Sequence, residues 1–286
     1  MTCRSQVGLL VVVGLMLLAA CGGEDSKTTA QPTPSETPYV GYPNSIVVLG
    51  HSGATGQNSD PQQPGVPVRE NSWATGANPA VKSVYLRILA ENPGIEGHNV
   101  NLAENGASVA RLVDQAQQAV ALKPKPDLVV IQIMDNDLVC PATAPDYDAF
   151  RSTFVSALAV LAKGAPASSI FVVSQFGSPT TQWRTYTPGE RASLGGTGEC
   201  DFLDPAGRLV PDKLAELEEA IHGYEGQLAA GCQQFARCRY DEGAFGAIID
   251  KREYISNDLN HFSIAGHAQA AATAWDAMKR AGLLAP

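Results

Sequence analysis

Three short runs constrain this chain most: residues 45–50 (SIVVLG), 127–133 (DLVVIQI) and 169–174 (SIFVVS). Each is apolar at nearly every position rather than at every second one. A strand that reads this way is covered on both faces, which is the mark of a parallel sheet between helical layers. Residues 98–103 predict a weaker strand and residues 245–250 a short fifth one. Between the strands the apolar spacing changes to that of a helix. Val81, Val84, Tyr85, Ile88 and Leu89 form one such stripe, and Val109, Leu112, Val113, Ala116 and Val120 a second, with Ser108 as its expected N-cap. Tyr147, Phe150, Phe154, Leu158 and Leu161 mark a third, and Leu214, Leu217, Ile221, Tyr224 and Leu228 a fourth. Ile264, Ala268, Ala271, Trp275 and Met278 close the pattern, with Ser263 before them. The expectation is an α/β three-layer sandwich around a five-stranded parallel sheet. Ligands in such sheets sit beyond the carboxyl ends of the strands.

The N-terminus reads differently. Arg4 precedes an apolar stretch over residues 7–18, then Leu18-Ala19-Ala20-Cys21 and two glycines. A basic start, a short apolar run and small residues before a cut site predict a secretory signal. The run is too short for a comfortable membrane span. Cysteine directly after Leu-Ala-Ala resembles a bacterial lipobox, which makes Cys21 the expected lipidated residue. The alternative is an ordinary signal with an incidental cysteine. The expected organisation is a signal at 1–20, lipidated Cys21 and a linker rich in Gly, Ser, Thr and Pro over 21–43, and the folded domain at 44–286. The protein is then extracytoplasmic and lipid-anchored to a bacterial membrane.

Of the 6 cysteines, Cys3 leaves with the signal and Cys21 carries lipid. Cys140, Cys200, Cys232 and Cys238 remain in an exported domain, where disulfides form. Four cysteines allow three pairings. Cys232 with Cys238, close in sequence, and Cys140 with Cys200, pinning two loops, is the favoured one. A zinc site is the competing reading, without a CxxC pair or a His-rich partner segment to support it. The net charge of −9 argues against nucleic acid as a partner.

Four segments lie where chemistry is expected. The first strand runs into Gly50-His51-Ser52-Gly53-Ala54-Thr55-Gly56, a glycine-rich turn that can present a serine hydroxyl. Such a hydroxyl needs a base to act as nucleophile. The second strand leads to Asn105-Gly106-Ala107-Ser108, where Gly106 can offer its N–H at a helix start. The third leads to Met134-Asp135-Asn136-Asp137, where the Asn136 amide can donate to a developing oxyanion. Near the end stands Asp258-Leu259-Asn260-His261, a spacing that lets a carboxylate reach and orient an imidazole.

In this order the four segments resemble the SGNH hydrolases, the GDSL-type esterases and lipases, from about residue 45 to the C-terminus. Gly50, Ser52 and Gly56 match that family's first block, Gly106 its second, Asn136 and Asp137 its third, and Asp258 and His261 its last. The resemblance implies a flavodoxin-like α/β/α fold and no cofactor or metal. It implies Ser52 as nucleophile, His261 as general base and acid, and Asp258 as the orienting carboxylate. The Ser52 and Gly106 N–H groups and the Asn136 side chain would form the oxyanion hole. His51 stands where the family has aspartate, and Met134 where glycine is usual.

The expected activity is therefore hydrolysis of carboxylic esters: short-acyl esters, lipids, or O-acetyl groups on glycans. The expected partners are that substrate and a membrane, with the domain acting as a monomer. Two other readings remain open. One is a non-catalytic tethered binding lipoprotein on the same fold, and the other an acyltransferase using the same triad. Trp73, in NSWATG, and Trp183, in the long segment 176–200, are candidate substrate contacts. His267 is expected to pack rather than to bind metal.

Overall fold

A computed structural model describes residues 41–196 and 200–284. The expected signal, Cys21 and nearly all of the expected linker lie outside the described residues. The sheet has five parallel strands: β1 (Ile46–Gly50), β2 (Asn99–Asn101), β3 (Leu128–Gln132), β4 (Ser169–Val172) and β5 (Cys238–Tyr240). Their spatial order is β2-β1-β3-β4-β5, the flavodoxin-like order. The direction of winding reverses at β1 and β3, which opens a crevice beyond their ends.

The helices are α1 (Val84–Glu91), α2 (Val109–Ala121), α3 (Ala144–Gly164), α4 (Pro179–Thr185), α5 (Pro188–Leu194), α6 (Pro211–Cys232) and α7 (Ile264–Arg280). Strand alternation sorts the core into two layers. Ile46, Val48, Leu128, Val130 and Phe171 face one side, with Val84 and Ile88 of α1 and Ala270, Ala274 and Met278 of α7. Val47, Leu49, Val129, Ile131 and Val172 face the other, with Leu112 of α2, Phe154 and Leu158 of α3 and Leu228 of α6. Both faces of β1, β3 and β4 are thus dry, which is why their sequences show no alternation.

Three local expectations need correction. Residues 245–250 are not a strand. The Asp241 carboxylate accepts the N–H groups of Gly243 and Phe245, each at 3.0 Å, and the Ser174 hydroxyl at 2.9 Å. These bonds hold the chain in turns, and Phe245 drops into the core, with Ile248 buried behind it. The fifth strand is Cys-Arg-Tyr at 238–240 on the sheet edge, too short and polar to show a pattern. Segment 176–200, for which the sequence showed no helical stripe, carries α4 and α5. Ser108 flanks α2 without a side-chain cap bond; the Val109 N–H is taken instead by both carboxylate oxygens of Asp137 at 3.0 Å. Ser263 does cap α7, accepting from Gly266 N at 3.1 Å.

Both favoured disulfides are present. Cys140–Cys200 ties the segment after β3 to the segment after α5, and Cys232–Cys238 joins the end of α6 to β5.

Candidate active site

The serine turn is built by close approach. Gly50 has φ +130°, and a Cβ there would stand 1.7 Å from the Gln132 carbonyl oxygen, so only glycine fits. The buried Gln115 side chain of α2 fixes the same residue twice. Its Oε1 accepts Gly50 N–H at 2.7 Å and its Nε2 donates to Gly50 O at 3.0 Å. Past this clamp the chain makes one short turn, Ser52–Ala54. His51 closes it: Nδ1 accepts the Gly53 N–H at 3.0 Å. His51 is 2% exposed, and its Nε2 lies 3.3 Å from Asp135 Oδ2 without hydrogen-bond geometry. The imidazole thus does the work of a capping carboxylate from the position where aspartate was expected.

Asn136 follows β3. Its Nδ2 donates to the Ala107 carbonyl at 2.9 Å, which brings it beside the turn containing Gly106, where φ is +73°. An amide nitrogen has two hydrogens, so one remains for a second acceptor. Met134 carries φ +145° in the left-handed half of backbone space that glycine adopts most easily. Its side chain is 1% exposed and packs in the core layer of α2, α3 and α6. Asp137, half-buried against the Val109 N–H, has its carboxyl pushed up to about 6 by desolvation, partly opposed by the Val109 N–H and increased by Asp135.

On the final loop, His261 Nδ1 and Asp258 Oδ2 are 2.6 Å apart, with side chains 17% and 28% exposed. Asp258 Oδ1 accepts from the N–H groups of His261 at 3.0 Å and Asn260 at 3.1 Å, and from the Ser256 hydroxyl. Burial raises this carboxyl's pKa, but the donors outweigh burial and hold it well below the usual carboxylate range. Asp258 is therefore ionised at neutral pH and selects the Nδ1–H form of His261, leaving Nε2 as the basic nitrogen. The loop itself is pinned from α5 and its flank. Tyr186 Oη donates to Leu259 O at 2.9 Å, and Arg252 joins Glu190 to the Ile255 carbonyl.

Ser52, Asn136 and His261 line one cleft of about 200 Å³ with Asp135, Gln182 and Phe262. Among the described residues the Ser52 hydroxyl has no hydrogen bond. Among the described residues no lysine or arginine lines the cleft. Trp73 is not at its edge. It is fully buried, its Nε1 donates to Gln132 Oε1 at 2.8 Å, and its ring meets Phe245 edge-on at 5.1 Å. Trp183 is also turned away. Its ring lies under the Arg191 guanidinium at 5.3 Å, while Gln182, one residue and about 100° around the helix, reaches the cleft. The sequence reading also missed Asn58, which donates to Asp258 Oδ2. No local pattern flags an asparagine whose partner lies 200 positions away.

A strand-end serine, an imidazole–carboxylate pair and a donor amide around one cleft are the parts of a hydrolase that works through an acyl-enzyme. Residues 46–274 match the GDSL-like Lipase/Acylhydrolase family, and the chain belongs to it: it is a carboxylic ester hydrolase. Comparison with curated protein sequences returns no match. Among solved structures it is similar to a putative GDSL-like lipase from Parabacteroides merdae, with 13% identity, 84% of this chain and 98% of that one covered, and a TM-score of 0.53. It is also similar to a mutant of an acetyl-xylooligosaccharide esterase from Geobacillus, with 17% identity, coverage of 84% and 95%, and a TM-score of 0.50. At such identities these likenesses speak for the fold.

Proposed function

We propose that the domain hydrolyses short-acyl esters of polar alcohols, with Ser52 as nucleophile, outside the cytoplasm and tethered through lipid on Cys21. The observation that carries the proposal is the 2.6 Å contact between His261 and the ionised Asp258 beside a cleft shared with Ser52. Ser52 Oγ attacks the acyl carbon while His261 Nε2 takes its proton. The oxyanion is held by the N–H groups of Ser52 and Gly106 and by the free Nδ2 hydrogen of Asn136. The intermediate collapses as His261 returns the proton to the departing alkoxide. Water, deprotonated by His261, then attacks the acyl-enzyme, and the carboxylic acid leaves with Ser52 restored.

The acyl preference follows from the lining. His51, Asp135, Asn136, Gln175, Gln182, Asp250 and Asn260 are polar, with Phe176, Ile255 and Phe262 as the apolar part. A long hydrocarbon placed there would cut the Asp135 carboxylate and the side-chain amides of Gln182 and Asn260 off from water, at about 1–3 kcal/mol each. A hydroxylated alcohol such as a sugar would satisfy them. The test is a series of nitrophenyl esters from acetate to laurate. The rate is expected to fall with chain length and to drop by a factor of about 10³ or more in Ser52→Ala. A preference for laurate overturns the short-acyl assignment, and an active Ser52→Ala overturns the nucleophile.

A further inference from the structure

Asn58 lies in the hairpin that follows the serine turn, closed by an antiparallel bridge between Gln57 and Pro67. Its backbone has φ +54°, a conformation that asparagine and aspartate tolerate better than most residues. Its N–H donates to Val66 O at 3.2 Å. The Gly65 N–H donates to Asn58 Oδ1. A backbone N–H can only donate, so this bond fixes which end of the amide is oxygen and leaves Nδ2 to face outward. Nδ2 donates to Asp258 Oδ2.

That oxygen is also the partner of His261 Nδ1. The other carboxylate oxygen is held by donors from the loop of Asp258 itself. Asn58 is therefore the one side chain from the segment carrying the nucleophile that bonds the acid. It competes with His261 for the lone pairs of a single oxygen.

We infer that Asn58 is a positioning residue for the Asp258–His261 pair, fixing Oδ2 in place and sharing its charge. The inference rests on the triad reading of Ser52, His261 and Asp258. Asn58→Asp keeps the Gly65 acceptor and the left-handed backbone, so the hairpin stays intact. It replaces a donor by a second carboxylate near His261, which favours the imidazolium. Other ionisable groups around the pair are His267 on α7, His51, Asp135 and Asp250 lining the cleft, and Tyr186, Arg252 and Glu190 against the loop that carries it. None of them changes in the variant.

The experiment is the pH profile of kcat/KM for the full chain, Asn58→Asp and Asn58→Ala on a soluble acetate ester, with melting temperatures and Asp258→Asn alongside. The acid limb is expected to move up by about one pH unit in Asn58→Asp. In Asn58→Ala kcat is expected to fall about tenfold with KM within twofold, since Oδ2, held on one side only through Oδ1, aligns the base less well. Superimposable profiles with kcat within twofold overturn the inference. So does a uniform loss of activity with an unmoved acid limb, which marks a structural role only. An active Asp258→Asn overturns the triad reading itself. An inactive Asp258→Asn with silent Asn58 variants overturns only the role of Asn58.

Discussion

His51 Nδ1 accepts the backbone N–H of Gly53 at 3.0 Å across the turn that carries Ser52. The bond needs Nδ1 unprotonated, so neutral His51 carries its proton on Nε2, toward Asp135. Its loss frees a buried donor and loosens the turn. His51→Ala is expected to cost about 1 kcal/mol for the lost cap, with a further penalty for the cavity. It should lower kcat/KM at least about tenfold, as small displacements of a reacting group do. His51→Asn keeps an acceptor at the cap and should recover most of both. Denaturant midpoints and kcat/KM for the two variants check this. Equal losses would mean that the bond to Gly53 is not what His51 contributes.

Met134 inverts the usual ranking of alanine and glycine. Its φ of +145° costs a non-glycine residue about 1–3 kcal/mol, while its buried side chain repays packing. Met134→Ala loses the packing, about 2–5 kcal/mol, and keeps the strain. Met134→Gly loses the packing and relieves the strain. Chemical denaturation should therefore find Met134→Gly the more stable of the two, although glycine usually costs about 1 kcal/mol more than alanine. The reverse order would contradict a strained backbone here.

The central sheet of the sandwich was legible because β1, β3 and β4 are apolar on both faces, and chemistry is expected at strand ends in such a sheet. Ser52, Asn136, Asp258 and His261 stand in short local motifs, so their grouping could be anticipated. Two kinds of feature were not legible. Trp73 is aromatic, near the serine in sequence and in a largely polar stretch, yet its indole N–H is satisfied by Gln132 far along the chain, so it sinks into the core. Asn58 and Tyr186 act through partners on the last loop, and no periodicity encodes such contacts. The edge strand β5 was missed because pairing on one side needs little apolar sequence.

His267 makes stability pH-dependent. Burial, with a smaller contribution from nearby His261, lowers its pKa to about 3 against an ordinary 6.5. As pH falls, the unfolded chain takes up the proton first. The stabilising contribution is present above pH 6.5 and is lost progressively toward pH 3, amounting to about 2 kcal/mol by pH 5. His267 Nδ1 has no hydrogen bond to lose, so His267→Leu should flatten this part of the stability curve. Urea titrations between pH 7 and 5 decide it; an unchanged slope would show that another group titrates.

The two disulfides should differ in worth. Cys140–Cys200 closes a loop with a sequence separation of 60, and Cys232–Cys238 one of 6. Loop-closure entropy gives about 4 kcal/mol for the first and about 2 for the second. Paired Cys→Ser variants, compared by thermal unfolding, should show the larger drop for 140/200. A larger drop for 232/238 would contradict the entropic ranking.

The most direct test of the central claim is covalent. An alkyl phosphonate ester that mimics the tetrahedral intermediate is incubated with the protein, and peptide mass spectrometry locates the adduct. One adduct on Ser52 is expected, with labelling abolished in Ser52→Ala and slowed by a factor of at least about 10³ in His261→Ala. An adduct on another residue, or undiminished labelling without His261, would contradict it.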